Sequence, residues 1–245
     1  MIRSQPYGEL AKIYDRVMDH VKYDEWADYI SSVFDQFNIN VTKILEIACG
    51  TGNFSLYLNE RGYDITCTDL SAEMLNIAAA KFENNNIPKK LFAANMSALP
   101  LKAEFDAVLC LYDSVNYLLD SKNILKTFAD IHSVLRTGGI FIFDVCTVKN
   151  SKLYFSNNTM FEELGDIKYE RKCTFNDTDC IQENIFILDS NDKNYVERHL
   201  QRIYSLKEIE DFISESSFEK LGIFNDLTFF EGTEDSERVH FVLRK

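Results

Sequence analysis

The residues that could do chemistry in this chain concentrate between Val41 and Asp69, in the run VTKILEIACGTGNFSLYLNERGYDITCTD. Gly50 and Gly52 follow directly on the apolar residues Val41, Ile44, Leu45, Ile47 and Ala48, which suit a strand buried on both faces of a parallel sheet. Phe54, Leu56, Tyr57 and Leu58 come next at helical spacing, so the glycines occupy a strand-to-helix turn. Such a turn lets a ligand approach the backbone more closely than a Cβ allows, beside the unpaired N–H groups of a helix N-terminus. Gly62 ends that helix, Tyr63 to Thr68 form a second strand, and Asp69 stands at its carboxyl end, 17 residues beyond Gly52. The acid that binds ribose hydroxyls in dinucleotide folds stands about 20 residues beyond the glycine loop. The spacing therefore predicts a nucleoside-bearing ligand held at its ribose by Asp69.

What the loop lacks narrows the ligand. A dinucleotide fingerprint starting at Gly50 requires a third glycine where Ser55 stands, and no G-x-x-x-x-G-K-[ST] sequence occurs. Glu46 is an acid inside an apolar strand, costly to bury unless something partners it. It disfavours a pyrophosphate and suits a ligand with a cationic or amine-bearing tail.

The segment Glu46-Ile47-Ala48-Cys49-Gly50-Thr51-Gly52 resembles the first motif of the class I S-adenosylmethionine-dependent methyltransferases, with Asp69 on the ribose acid of that family. Ala48 replaces the usual first glycine of the motif. The resemblance is specific over residues 41–145. It implies S-adenosylmethionine as cofactor, S-adenosylhomocysteine as product, and a doubly wound, Rossmann-like α/β sheet of seven strands. It further implies a cofactor site made of Tyr14, Glu46, Ala48, Gly50, Gly52, Asn53, Asp69, Leu70, Asn95, Met96, Leu111 and Tyr112. Asn95 stands where the family often has an Asp at the adenine, and its carbonyl oxygen can accept from the adenine amino group. Tyr7 and Ala11-Lys12-Ile13-Tyr14-Asp15 look like a segment that closes over the cofactor, with Tyr7 toward the substrate. The competing reading is that the two amphipathic stretches of the N-terminal region, Leu10 to Val17 and Trp26 to Phe37, only cover the sheet.

The remaining elements position these groups. Ser71 is placed to cap a helix facing inward through Ala72, Leu75, Ala78, Ala79 and Phe82. Leu91 to Ala94 and Phe105 to Leu111 read as further strands. Tyr112, Asp113 and Asn116 crowd the carboxyl end of the latter, where open parallel sheets bind ligands, which makes Asp113 and Asn116 substrate candidates. Ser121 is placed to cap a helix closed by Gly138-Gly139, and Ile140 to Val145 form a fifth strand. Asp144 in that strand either satisfies backbone groups or serves the acceptor.

From Lys149 the pattern changes to alternating stretches, Ile167–Phe175, Cys180–Leu188 and Tyr195–Tyr204, separated by the polar turns 176–179 and 189–192. An antiparallel β-meander inserted into the α/β order is expected, with 1–148 and 203–245 as the core and 149–202 as a lid over the acceptor. Ser205 and Glu208 form a capping box opening the last helix. Lys220 to Asn225 and Val239 to Leu243 are the last two strands.

A net charge of −13, from 26 Lys plus Arg against 39 Asp plus Glu, opposes binding to nucleic acid backbones. Six cysteines without a C-x-x-C pair suggest reduced thiols and no metal site. No apolar run reaches the roughly 18 residues of a membrane span and no signal segment is recognised, so a cytoplasmic protein is expected, its oligomeric state left open. The implied function is methyl transfer from S-adenosylmethionine to nitrogen or oxygen of a small molecule by direct in-line displacement. Methylation of a protein or RNA, and a non-catalytic cofactor-binding module, are the alternatives. Such a displacement needs mainly positioning and a proton acceptor. The catalytic candidates are Tyr14, Asp144 and His199, the one histidine in the insertion, which can equally face solvent between Arg198 and Leu200.

Overall fold

Largely apolar runs become the central strands of the main sheet, buried on both faces, and amphipathic segments between them become the covering helices. The computed structural model describes residues 1–102, 104–164, 167–190 and 193–245. The chain begins with β1 (Ile2–Arg3), a 3₁₀ turn at Leu10–Ile13, α1 (Tyr14–Val17) and α2 (Tyr23–Gln36). Then follow β2 (Lys43–Ile47), α3 (Asn53–Glu60), β3 (Asp64–Asp69), α4 (Ala72–Asn84), β4 (Leu91–Ala93) and β5 (Phe105–Cys110). A 3₁₀ turn at Ser114–Tyr117 leads to α5 (Ser121–Val134), β6 (Leu135–Cys146) and α6 (Val148–Tyr154). The chain continues through β7 (Asn158–Leu164), β8 (Ile167–Asn176), β9 (Ile181–Ser190) and β10 (Lys193–Arg202), and closes with α7 (Leu206–Glu215), β11 (Glu219–Asn225) and β12 (Arg238–Arg244).

Seven strands form the main sheet in the order β11-β12-β6-β5-β2-β3-β4, parallel except that β12 runs antiparallel to both neighbours. The chain steps from β2 outward to β3 and β4, then returns to β5 on the other side. This reversal puts a crevice beyond the carboxyl ends of β2 and β5, where open α/β sheets take their ligands. Helices α5 and α7 cover one face through Ile124, Phe128, Ile131, Ile209 and Ile213, and α2, α3 and α4 cover the other through Trp26, Ile30, Phe54, Leu58 and Phe82. Ser71 caps α4 by accepting the Met74 N–H, and Ser205 and Glu208 form the reciprocal box at α7.

Three local expectations shift. Asp120, not Ser121, caps α5, accepting the Lys122 N–H. That helix stops at Val134, and Gly138-Gly139 lies within β6, where a Cβ on Gly139 would come within 3.0 Å of the Asp106 carbonyl on β5. Close strand approach, not helix termination, accounts for that glycine.

The insertion is larger than the three predicted stretches. Strands β7 to β10 form an antiparallel meander, and β1 joins its edge parallel to β10, giving a second sheet in the order β1-β10-β9-β8-β7. Helix α6 precedes it from Val148, across the expected boundary at 149. The predicted turn 176–179 falls on the β8–β9 connection; of the turn 189–192, Asn191 and Asp192 lie outside the described residues. Leu10 and Ile13 pack against Tyr169, Phe186 and Leu188 of this second sheet. The apolar face at Leu10 to Val17 thus belongs to the roof, and the first helix the periodicity suggested is a 3₁₀ turn and one short helix.

Candidate active site

The loop after β2 holds Ala48, Gly50 and Gly52 at φ of 56°, 56° and 74°. The two glycines have different reasons. A Cβ on Gly52 would lie 3.0 Å from Phe82 and 3.1 Å from Ala78 of α4, so that residue lets helix and loop pack. A Cβ on Gly50 would meet only Tyr14, at 3.9 Å, and would project into space open to a ligand. Ala48 tolerates the left-handed region at a steric cost that glycine would avoid. Asp69 accepts the Gly50 N–H at 2.8 Å on one oxygen and the Ser71 N–H at 2.8 Å on the other. Burial pushes its carboxyl up against the opposing pull of those N–H groups.

Glu46 sits at the floor of the loop with its carboxyl buried and hydrogen-bonded by Ser55 Oγ. Burial pushes it up to about 8, opposed by the Ser55 bond and aided by Asp69. Ser55, where a dinucleotide fold would have glycine, is thus the partner of the acid that the sequence left without one.

The N-terminal segment lies over the loop. Asp15 accepts from Thr51 Oγ1 at 2.6 Å and Asn53 Nδ2 at 3.0 Å, and pairs with Lys81 at 2.6 Å. Tyr14 stands beside Gly50, and Tyr7 packs edge-on to Tyr14 with centroids 5.7 Å apart.

Tyr7 begins a chain of hydrogen bonds into the roof. Its hydroxyl lies 2.6 Å from that of Tyr117, which lies 3.1 Å from His199 Nδ1, while His199 Nε2 is 3.3 Å from Glu197 Oε2. The Glu197 carboxylate also accepts N–H groups from Tyr7, Glu9 and Leu10 at 2.8, 2.6 and 3.0 Å. Burial alone would raise that carboxyl, but the His199 bond and the Leu10 and Glu9 N–H groups outweigh it and hold it low. Burial pushes the Tyr7 and Tyr117 hydroxyls up, so both stay protonated near neutral pH. His199 is 1% exposed, which excludes the solvent-facing alternative.

Two candidates are elsewhere engaged. Asp144 is fully buried and accepts the N–H groups of Tyr112 at 2.6 Å and Asp113 at 2.9 Å together with Arg238 Nη1. It shapes the turn after β5 and does not line the cavity, so the catalytic expectation for it is corrected. Asn116 likewise ties the Arg202 carbonyl to the Cys146 N–H behind the cavity wall, so it is not a substrate contact. Asp113 does reach the cavity, but its oxygens are held by Arg238 at 2.8 Å and Gln201 at 2.5 Å. Asn95 also reaches it, with its carbonyl oxygen accepting from Ser97 N and Oγ at 2.9 Å. The adenine contact expected of that oxygen therefore has to share it. Of the other histidines, His240 is buried against Trp26 and Tyr29, and burial pushes it down to about 3.

One cavity of about 890 Å³ joins these parts. Tyr7, Tyr14, Glu46, Ala48, Gly50, Asn53, Asp69, Leu70, Asn95, Met96, Leu111, Tyr112, Asp113 and His199 line it together; Gly52 stands behind it. Arg171, Gln182, Asn184, Gln201 and Arg238 line it too and were not singled out from the sequence. Their signal was polar alternation in strands, Gln182 with Asn184 and His199 with Gln201, on what proves to be an inward face. An acid with spare acceptor capacity at the floor, a ribose-type acid at a strand end and a loop open at Gly50 fit a nucleoside with a cationic, amine-bearing tail.

Residues 44–139 match the family model described as a methyltransferase domain. A methyltransferase-named protein of Geobacillus sp. (strain WCH70) is 31% identical over 98% of this chain and 99% of its own length. YqeM of Bacillus subtilis (strain 168), also named as a methyltransferase, is 30% identical over 98% and 97%. The crystal structure of an S-adenosylmethionine-dependent methyltransferase from Clostridium acetobutylicum has a TM-score of 0.85 to this fold at 27% identity, covering 98% of each chain. The likeness thus runs through the roof as well as the loop, and the chain belongs to the class I S-adenosylmethionine-dependent methyltransferases.

Proposed function

We propose that the protein moves the methyl group of S-adenosylmethionine to a nitrogen or oxygen of a small molecule held between the glycine loop and the roof sheet. The observation that carries this reading is the continuity of one cavity from Gly50 and Asp69 to Asn184 and His199. Its volume is near the top of the roughly 300–1,000 Å³ of small-molecule sites, which leaves room for an acceptor beside the donor. Residues 149–202, with β1 and the start of α6, act as the lid.

When bound, the donor supplies a methyl group already activated by a cationic sulfur. The protein's share is positioning and proton removal, and reacting atoms held about 3–3.5 Å apart gain most of the acceleration from positioning alone. Glu46 offers a carboxylate to the amine-bearing tail, Asp69 takes the ribose, and Tyr14 closes over the loop. The proton leaves through the buried chain: Tyr7 accepts it and passes its own to Tyr117, Tyr117 passes one to His199 Nδ1, and Glu197 stabilises the resulting imidazolium.

Methyl-labelled S-adenosylmethionine incubated with a small-molecule extract tests the reading. Label is expected in a low-molecular-weight fraction with stoichiometric S-adenosylhomocysteine. Label confined to protein or RNA in a whole lysate would overturn it.

A further inference from the structure

The inward face of the roof is polar where a sheet face covering a core is normally apolar. Gln182 and Asn184 of β9 and Glu197, His199 and Gln201 of β10 recur at every second residue, each 4% exposed or less. Buried amides and charges are unfavourable unless partnered, and most of these are. Ser151 Oγ donates to Gln182 Oε1, Gln182 Nε2 to Gln201 Oε1, and Gln201 Nε2 to Asp113.

The exceptions lie together. Arg171 of β8 lines the cavity with its guanidinium carbon 5.1 Å from the Phe155 ring centre and 5.4 Å from that of Phe186. Among the described residues it forms no ion pair; Nε and Nη2 donate to one neutral oxygen, Asn184 Oδ1, at 3.2 and 3.0 Å. Guanidinium is donor-only, so this contact sets the Asn184 amide with its oxygen toward Arg171 and its NH₂ away. That NH₂ has no protein acceptor among the described residues, and it belongs to a side chain lining the same cavity. Two adjacent groups thus offer several N–H bonds and no acceptor. The two aromatic rings hold the guanidinium in place by cation–π contact.

We propose that Arg171 and Asn184 form a carboxylate subsite, so that the methyl acceptor is a small carboxylate-bearing molecule. The term acceptor rests on the methyl-transfer reading above; the subsite itself does not. A guanidinium fork matches a carboxylate in geometry. Arg238, the other guanidinium on the cavity, is already paired with Asp113 and Asp144, so Arg171 alone calls for one negative charge, and a phosphate dianion would add a second in a cavity also lined by Glu46 and Asp69. Phe186 links the subsite to the proton path, its ring 5.1 Å from that of His199, and Asn184 is the cross-strand partner of His199. A carboxylate held there places a nucleophile a few bonds away beside the Tyr7–Tyr117–His199 chain.

Acetate, acetamide and methylphosphonate are titrated by saturation-transfer NMR into the full chain, with and without S-adenosylhomocysteine. Acetate is expected to bind, acetamide not, and methylphosphonate more weakly than acetate. Arg171→Gln should weaken acetate by about tenfold or more, with partial recovery in Arg171→Lys. Asn184→Asp supplies Arg171 with its own carboxylate and should abolish acetate binding in a chain at least as stable as the parent. Equal binding of acetamide, tighter binding of methylphosphonate, or unchanged acetate binding in both Arg171→Gln and Asn184→Asp would overturn the subsite. Affinity for S-adenosylhomocysteine, measured separately, should stay within about twofold in these variants, since neither residue is assigned to the nucleoside end. Its absence in the parent chain would remove the methyl-transfer reading and leave the acetate comparison intact.

Discussion

Tyr7 donates its backbone N–H to the Glu197 carboxylate at 2.8 Å. One buried charge on the roof thereby holds the segment that, eight residues later, grips the glycine loop through Asp15. In the proposed mechanism, closure over the cofactor and assembly of the proton path are therefore coupled, because Tyr7 both bonds Tyr117 and anchors the segment.

Replacing Glu197 by Gln leaves at least one of the N–H groups of Tyr7, Glu9 and Leu10 poorly paired. At pH 7 the variant should be less stable in denaturant unfolding by about 1–3 kcal/mol. A carboxyl held below its unfolded value, about 4.3, contributes stability that is present above that pH and lost as pH falls through the folded value. The difference between parent and variant should therefore shrink on acidification below about pH 4.3; a constant difference would speak against the charge.

The proton path predicts non-additivity. Tyr117→Phe and His199→Gln should each lower turnover by up to about 10²- to 10⁴-fold, and the double variant should be little slower than the worse single one. Multiplying effects would mean that the two side chains act independently.

Glu46, pushed up to about 8 by burial, is largely protonated in the ligand-free protein at neutral pH. A carboxyl raised on folding contributes stability that is fully present below the unfolded value of about 4.3 and lost as pH rises through the folded one. A cationic ligand selects the ionised form, so affinity for S-adenosylmethionine should rise with pH and level off near 8, with a slope of at most about tenfold per unit. Calorimetry in buffers of different ionisation heat should show proton release at pH 7, absent in Glu46→Gln. Identical heats in all buffers would contradict this.

The loop glycines give opposite signs. Ala48→Gly relieves a left-handed alanine and should raise stability by about 1 kcal/mol. Gly52→Ala adds that strain to contacts with Phe82 and Ala78 and should lose about 2–4 kcal/mol. Thermal unfolding of the two variants checks both.

Asp15→Ala removes the shared partner of Thr51, Asn53 and Lys81. S-adenosylhomocysteine should then dissociate faster, by about tenfold for the loss of one charge-assisted hydrogen-bond cluster, as read by stopped-flow displacement. Unchanged dissociation would show that the segment does not cover the ligand.

The strand, glycine loop, helix and terminal acid were legible in the sequence because each is a local pattern: an apolar run, a turn residue, a helical period, an acid at a fixed offset. The same holds for Ser71 and Ser205 as caps. Gly138-Gly139 misled because a glycine pair after a helical pattern reads as a stop, whereas the reason for Gly139 is the β5 backbone beside it. The three meander stretches were visible through alternation; β1 was not, because two residues carry no period.

Only the tertiary structure decided which polar side chains are free to act. Asp144 near the end of one strand and Asn116 beyond the end of another looked like site residues, yet backbone N–H groups, Arg238 and the Arg202 carbonyl use them up. Tyr7 and Glu197 meet across 190 positions of sequence, and Tyr117 and His199 across 82. A sequence period states which face a residue takes, but the supply of donors and acceptors at that face is set by whichever distant strand packs against it. The floor of the cavity comes from one contiguous stretch and could be read in advance. The roof and the Tyr7–Tyr117–His199 chain come from segments brought together only by folding, and could not.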